Sequence, residues 1–204
     1  MSVNLQKGQK IDLTKNNASL SGLMVGLGWD EAKTGGSGGG FLSGLLGGGK
    51  GNTIDCDASV LMLDEKGKIA NKKNVVYFGN LNSPCGSVVH KGDNLTGAGE
   101  GDDEQVFVEL KKVPANVHKL VFVVNIYKCQ EKKQDFGMIK NAFIRIVDNA
   151  TQKELAKFNL TEDYAGKTAL VVGEVYRHNG EWKFSATGQS TNDVSLSDLV
   201  RRYS

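Results

Sequence analysis

The run GDNLTGAGEGDDE, residues 92–104, places Asp93, Glu100, Asp102, Asp103 and Glu104 among four glycines with no basic residue between them. Carboxylates packed this closely repel one another, or raise one another's pKa, unless solvent screens them or a cation joins them. The donor chemistry suits a hard cation. Asp93, Asn94, Thr96, Asp102, Asp103 and Glu104 offer side-chain oxygens, while Gly97, Gly99 and Gly101 let the backbone fold tightly enough for its carbonyls to join. Calcium takes about six to eight such oxygens at flexible angles. The loop holds no Cys or His that would favour zinc or copper. The competing reading is an exposed acidic loop without function.

Three further acids stand at expected strand ends. GLGWD closes on Asp30, and TIDCDAS carries Asp55 and Asp57 two residues apart, on one face of a strand. Two carboxylates on one face of an apolar strand are costly if buried and unpaired. They therefore face solvent, or meet a cation or an arginine. Loops at one end of a β-sandwich cluster in space, which would bring these aspartates to the 93–104 loop.

Two apparent motifs fail on inspection. Asp93 and Glu104 occupy positions 1 and 12 of an EF-hand loop, but Leu95, Gly97 and Ala98 stand where ligands and the obligatory glycine belong. GLLGGGK, residues 44–50, fits the phosphate-loop spacing, yet Gly51 replaces the magnesium-binding Ser or Thr and no strand leads in. His90, His118 and His178 are isolated, so no nucleophile–base arrangement stands out, and His90 reads as a satisfied or exposed imidazole beside the acidic loop.

The elements that must position these acids are strands. Val/Ile/Phe/Tyr-rich runs bounded by polar turns recur at 22–29, 53–63, 74–79, 105–113, 118–127, 141–148, 153–160, 168–178 and 181–187. Asn179-Gly180 marks a type I′ hairpin between the last two. LVFVVNIY, apolar on both faces, reads as a central strand, and SLSDLVRRYS as a short C-terminal helix capped by Ser195 or Ser197. Trp29 and Trp182 read as packing anchors. Together these predict a single all-β domain over residues 1–204: a two-sheet β-sandwich with its acidic loops clustered at one end.

One stretch differs. Residues 34–52 hold ten glycines in nineteen positions, which marks a flexible inserted surface loop, although its FLSGLL island is odd for a spacer and would suit an apolar docking segment. The whole chain of 204 residues carries a net charge of only +2, so nothing general points to nucleic acid or an anionic membrane. Three scattered cysteines make no CxxC and suggest a reducing compartment, with Cys56 a core thiol. No signal pattern and no run of about 18 apolar residues is present. The expectation is a cytoplasmic protein without direct membrane insertion, whose Asn-X-Ser/Thr matches are chance.

Separated blocks in one order, VGLGWD, DCDAS, HKGDNLTGAGEGDDE, FGMIKNAFIRIVD and GEVYRHNGEWKF, resemble the TerD-type tellurium-resistance and stress-protein family nearly end to end. The resemblance implies a calcium-binding β-sandwich holding two calcium ions in acidic loops. It places ligands at Asp30, Asp55, Asp57, Asp93, Asn94, Asp102, Asp103 and Glu104, with Leu95 and Gly97 as backbone carbonyl ligands. It also implies partners among other tellurium-resistance proteins, some of them membrane-associated. The glycine-rich loop departs from the family pattern between Asp30 and Asp55. The expected function is therefore non-enzymatic calcium binding that switches an interaction face. The rivals are a magnesium- or manganese-dependent phosphoryl-transfer or hydrolytic enzyme using the same carboxylates, and a metal-free acidic module that binds basic partners.

Overall fold

The computed structural model describes residues 2–31, 54–92 and 101–204. The glycine-rich 34–52 loop with its FLSGLL island, the GLLGGGK match, and the proposed ligands Asp93, Asn94, Leu95, Thr96 and Gly97 lie outside the described residues.

Among the described residues twelve strands form two six-stranded sheets. In chain order they are β1 (Val3–Leu5), β2 (Lys10–Asp12), β3 (Gly22–Glu31), β4 (Cys56–Leu63), β5 (Val75–Val76) and β6 (Val88–His90), then β7 (Glu104–Glu109), β8 (Lys119–Ile126), β9 (Ile139–Asp148), β10 (Glu154–Asn159), β11 (Ala169–His178) and β12 (Glu181–Thr191). One sheet has the order β1-β10-β9-β3-β7-β6, the other β2-β12-β11-β8-β4-β5. Every pairing is antiparallel except β1 with β10.

Period-two alternation sorts the side chains. Leu23, Val25, Leu27 and Trp29 of β3 meet Cys56, Ala58, Val60 and Met62 of β4 and Leu120, Phe122, Val124 and Ile126 of β8 in the inter-sheet core. The opposite face of β4 and β8 is apolar too, which is why LVFVVNIY shows no alternation. Leu61, Leu63, Val121 and Val123 form a second core there, under the C-terminal helix α2 (Leu196–Arg201). A six-residue helix is unstable alone. This one is held by Leu199, which is fully buried, and by Ser195, whose side chain accepts the Asp198 N–H as N-cap.

All nine expected strands are present, and Asn179 and Gly180 take φ of 53° and 80°, the left-handed conformation that the I′ turn requires. The differences are local. Val75–Val76 is only two residues long, and the 105–113 run ends early because Leu110–Lys112 turns into a 3-10 helix before Pro114. The three-residue β1, β2 and β6 were not expected. They are too short to show a period and gain their ladders from distant partners. A short helix α1 (Cys129–Lys132) follows β8.

Candidate metal centre

The acidic end of the sandwich is built on the edge of β4. Among the described residues β5 pairs with β4 only at Val60 and Leu61, and no strand among them pairs with this edge at Ala58. A carboxylate and an imidazole bond to Ala58 there. Ala58 N–H donates to Glu104 Oε2 at 2.8 Å, and Ala58 O lies 3.2 Å from His90 Nε2. Gly92 N–H donates to His90 Nδ1 at 3.0 Å, so Nδ1 is the acceptor and this network assigns the proton to Nε2. That proton is shared between Ala58 O and Glu104 Oε2, each 3.2 Å away. His90 and Glu104 side chains are both buried. One imidazole thus ties the residue entering the acidic loop, Gly92, to the residue leaving it, Glu104.

Asp103 stands at the mouth. Its N–H donates to Leu27 O at 2.8 Å and its Oδ2 accepts the Trp29 N–H at 2.7 Å, where β3 bulges between Gly28 and Asp30. Burial pushes the Asp103 carboxyl above its ordinary value. The Trp29 N–H opposes this, and the charges of Asp30 and Asp102 add to it. Asp30 is exposed, and its Oδ2 accepts from Asn141 Nδ2 at 2.7 Å. Asp55 sits just before β4, its carbonyl accepting the Tyr127 N–H at 2.7 Å. Beside it the Cys56 thiol is raised well above its usual range, first by burial and then by Asp57, Glu104, Asp55 and Asp103. These acids are near enough for their charges to act on one core thiol, with Asp57 doing so from the other face of β4.

Two candidates are engaged elsewhere. Asp102 lies across the outer face of the β3 sheet, where Arg145 grips it with Nε to Oδ1 at 2.6 Å and Nη2 to Oδ2 at 2.8 Å, and Gln105 Nε2 reaches Oδ2 at 3.1 Å. Room for this carboxylate exists only because residue 26 is glycine: a Cβ there would stand 2.2 Å from Asp102 Oδ1. Asp57 shares its face of β4 with Leu61 and Leu63, so it points to the α2 side of the sheet, opposite Asn125 of β8.

Arg145, Gln105 and Glu31 escaped the sequence reading. Arg145 is the one charge in the apolar run FIRIV, the signal that it has an acidic partner. Glu31 Oε1 accepts the Ile54 N–H at 2.7 Å and so closes the base of the chain excursion between them. No periodicity announces that contact.

At the mouth the donors are carboxylate oxygens, a set that fits a hard cation better than a thiophilic one. Among the described residues no three His, Cys, Asp or Glu side chains lie close enough to hold a metal, so the described acids alone do not make a complete coordination shell. Among them also, no helix is long and apolar enough to cross a membrane.

A model of the TerD domain matches residues 1–203. The chain is 62% identical over 203 residues to the stress response protein SCP2 of Bacillus subtilis, covering 100% of both chains. It is 43% identical over 189 residues to the tellurium resistance protein TerD of Serratia marcescens, covering 93% of this chain and 91% of that one. A solved Streptomyces coelicolor homologue of the telluride resistance protein TerD shares the fold, with a TM-score of 0.65 at 18% identity over 91% of this chain and 98% of the other.

Proposed function

The chain belongs to the TerD domain family of stress response and tellurium resistance proteins, and from that membership we propose that it is a cytoplasmic calcium-binding protein without catalytic activity. The observation that carries the reading is Asp103. A partly desolvated carboxylate is held by a backbone N–H beside Asp30 and Asp102, at the acidic end of the sandwich. Like charges gathered by the backbone at a strand end are stabilised by a cation. Calcium supplies positive charge that offsets this repulsion.

Within the proposed set, Asp30, Asp55, Asp103 and Glu104 contribute carboxylates from the frame. Asp93, Asn94 and Thr96 add side-chain oxygens, and Leu95 and Gly97 add carbonyls, enough in all for two ions. Asp102 and Asp57 act as framework groups, the first through Arg145. Trp29 N–H orients Asp103, and His90 holds the two ends of the loop at a fixed spacing. Calcium binds only the folded frame, so it stabilises that end by linkage and presents a neutralised face to a protein partner, such as another tellurium-resistance protein.

The test is calorimetric titration of chelator-treated protein with calcium and then magnesium, beside Asp103→Asn. Calcium heat at about two sites, weak magnesium heat and loss in the variant are the expected results. Preference for magnesium with turnover of a phosphate ester would move the reading to a metal-dependent enzyme. No heat with either ion at two temperatures would withdraw it.

A further inference from the structure

On the far side of the β4 sheet a recess of about 800 Å³ opens beside α2. Its floor is polar in an otherwise apolar face. Asp57 and Asn125 lie directly opposite each other on β4 and β8, at 5% and 4% exposure, where Leu61, Leu63, Val121 and Val123 continue the same face as packed core. Asn125 Oδ1 has no hydrogen-bond partner among the described residues, and neither has the Oγ of Ser59, the next residue of β4 on that face. Burying acceptors unsatisfied costs stability that an apolar pair would not. The walls are aromatic: Tyr77, Phe78 and Tyr127, of which Phe78 and Tyr127 are among the few large apolar side chains left exposed.

We propose that this recess is a binding site for a small monoamine, a single primary ammonium on an apolar body. An ammonium brings three N–H donors and a positive charge, matching the Asn125 amide oxygen and the buried Asp57 carboxylate. Tyr77 and Phe78 offer aromatic surface to the cation, and Tyr127, whose ring already carries Lys128 Nζ at 5.6 Å, offers apolar surface to its body. The rim sets the limit on charge. Glu131 at the rim is held by Lys128 at 3.7 Å and Asp198 by Arg201 at 2.6 Å, and Lys72 adds a further positive charge, so a second ammonium finds no acid left to pair with. Polyamines and basic peptides should therefore gain little here over a single ammonium. This inference stands apart from the calcium reading, since it uses the opposite face of β4.

The test uses the full chain, once with calcium and once with chelator, titrated with phenethylamine, 3-phenylpropionate and spermidine. Binding is read by calorimetry and by the Asn125 side-chain amide resonance. Phenethylamine should bind and shift that resonance in both conditions, while the carboxylate of the same body leaves it unmoved and the polyamine binds no more tightly than phenethylamine. Asn125→Leu should lose roughly tenfold or more in affinity for phenethylamine while melting no lower than the parent, because it removes an unsatisfied buried acceptor. Tyr127→Ala, at an exposed position, should weaken binding without changing the fold. Equal binding of 3-phenylpropionate, or an unmoved Asn125 resonance with phenethylamine, overturns the proposal. Undiminished binding in a folded Asn125→Leu protein does the same.

Discussion

Arg145→Met tests whether Asp102 belongs to the framework or to an ion. In the folded protein the Asp102 side chain is 1% exposed and receives two charge-assisted bonds from Arg145 and one from Gln105. The substitution keeps the aliphatic stem but strips both guanidinium bonds, leaving a buried carboxylate with one amide donor. Orphaning one half of a buried pair costs about 3–5 kcal/mol. The Arg145 side chain is 30% exposed, so water enters behind the missing guanidinium and the expected loss falls to about 2–3 kcal/mol. For a domain of this size that is a melting-temperature drop of roughly 4–12 °C. The assay is urea unfolding of Arg145→Met, Asp102→Asn and the double variant, all in chelator. The double variant should be more stable than Arg145→Met, because it removes the charge that the single variant orphans, with a coupling of at least about 1 kcal/mol. Calcium titration of Asp102→Asn should then retain the parent heat that Asp103→Asn loses. A cost below about 0.5 kcal/mol for Arg145→Met, or a coupling within error of zero, would refute the framework assignment.

Leu199, His90 and Asp148 give three further outcomes. Leu199→Ala removes the one fully buried side chain of α2 and should cost about 2–4 kcal/mol by calorimetric melting; a loss under about 1 kcal/mol would mean that the helix is not held by the second core. His90→Leu strips the acceptor from Gly92 N–H and the donor from Ala58 O, so stability should fall by about 1–3 kcal/mol and amide exchange at Gly92 should quicken, whereas unchanged exchange there would break the clamp argument. Asp148 supplies the pH dependence. Burial pushes its carboxyl up, but the bonds from Thr151 Oγ1 at 2.8 Å and Ala150 N–H at 2.9 Å, with the Lys153 charge, outweigh burial and hold it below its ordinary value. A depressed native value contributes stability above the unfolded pKa of about 3.9 and loses it as pH falls through the lower native value. Asp148→Asn should therefore flatten the acid limb of a melting-temperature profile, and an unaltered limb would count against it.

The strands were legible because each long one carries its own period or its own apolar run, and β8 announced its central place by having no polar face. The short strands were not, since Val3–Leu5 becomes a strand only when Glu154–Asn159 lies beside it. The acids divide along the same line. That Asp55, Asp103 and Glu104 belong to one end of the sandwich could be read from its strand order, because the ends of β3, β4 and β7 lie side by side there. Which acid would be spent on the protein itself could not. Asp102 and Asp103 are adjacent and chemically identical, and what separates them is that one strand face holds Gly26 opposite Arg145 while the other turns to the Trp29 N–H. Asp57 is assigned by the position of α2, more than a hundred residues away in the chain. Sequence spacing carries no record of either.

Glu31 and Ile54 have a consequence for how such a chain can change over time. Their 2.7 Å bond fixes the two ends of a 22-residue excursion against the frame. With the ends held, each doubling of the intervening length adds only about 0.6 kcal/mol of closure entropy. The position is therefore an open graft point. Segments of different length and composition can be exchanged there at little thermodynamic expense, next to a charged end whose geometry is set by other residues, and new recognition can be acquired without redesigning the sandwich.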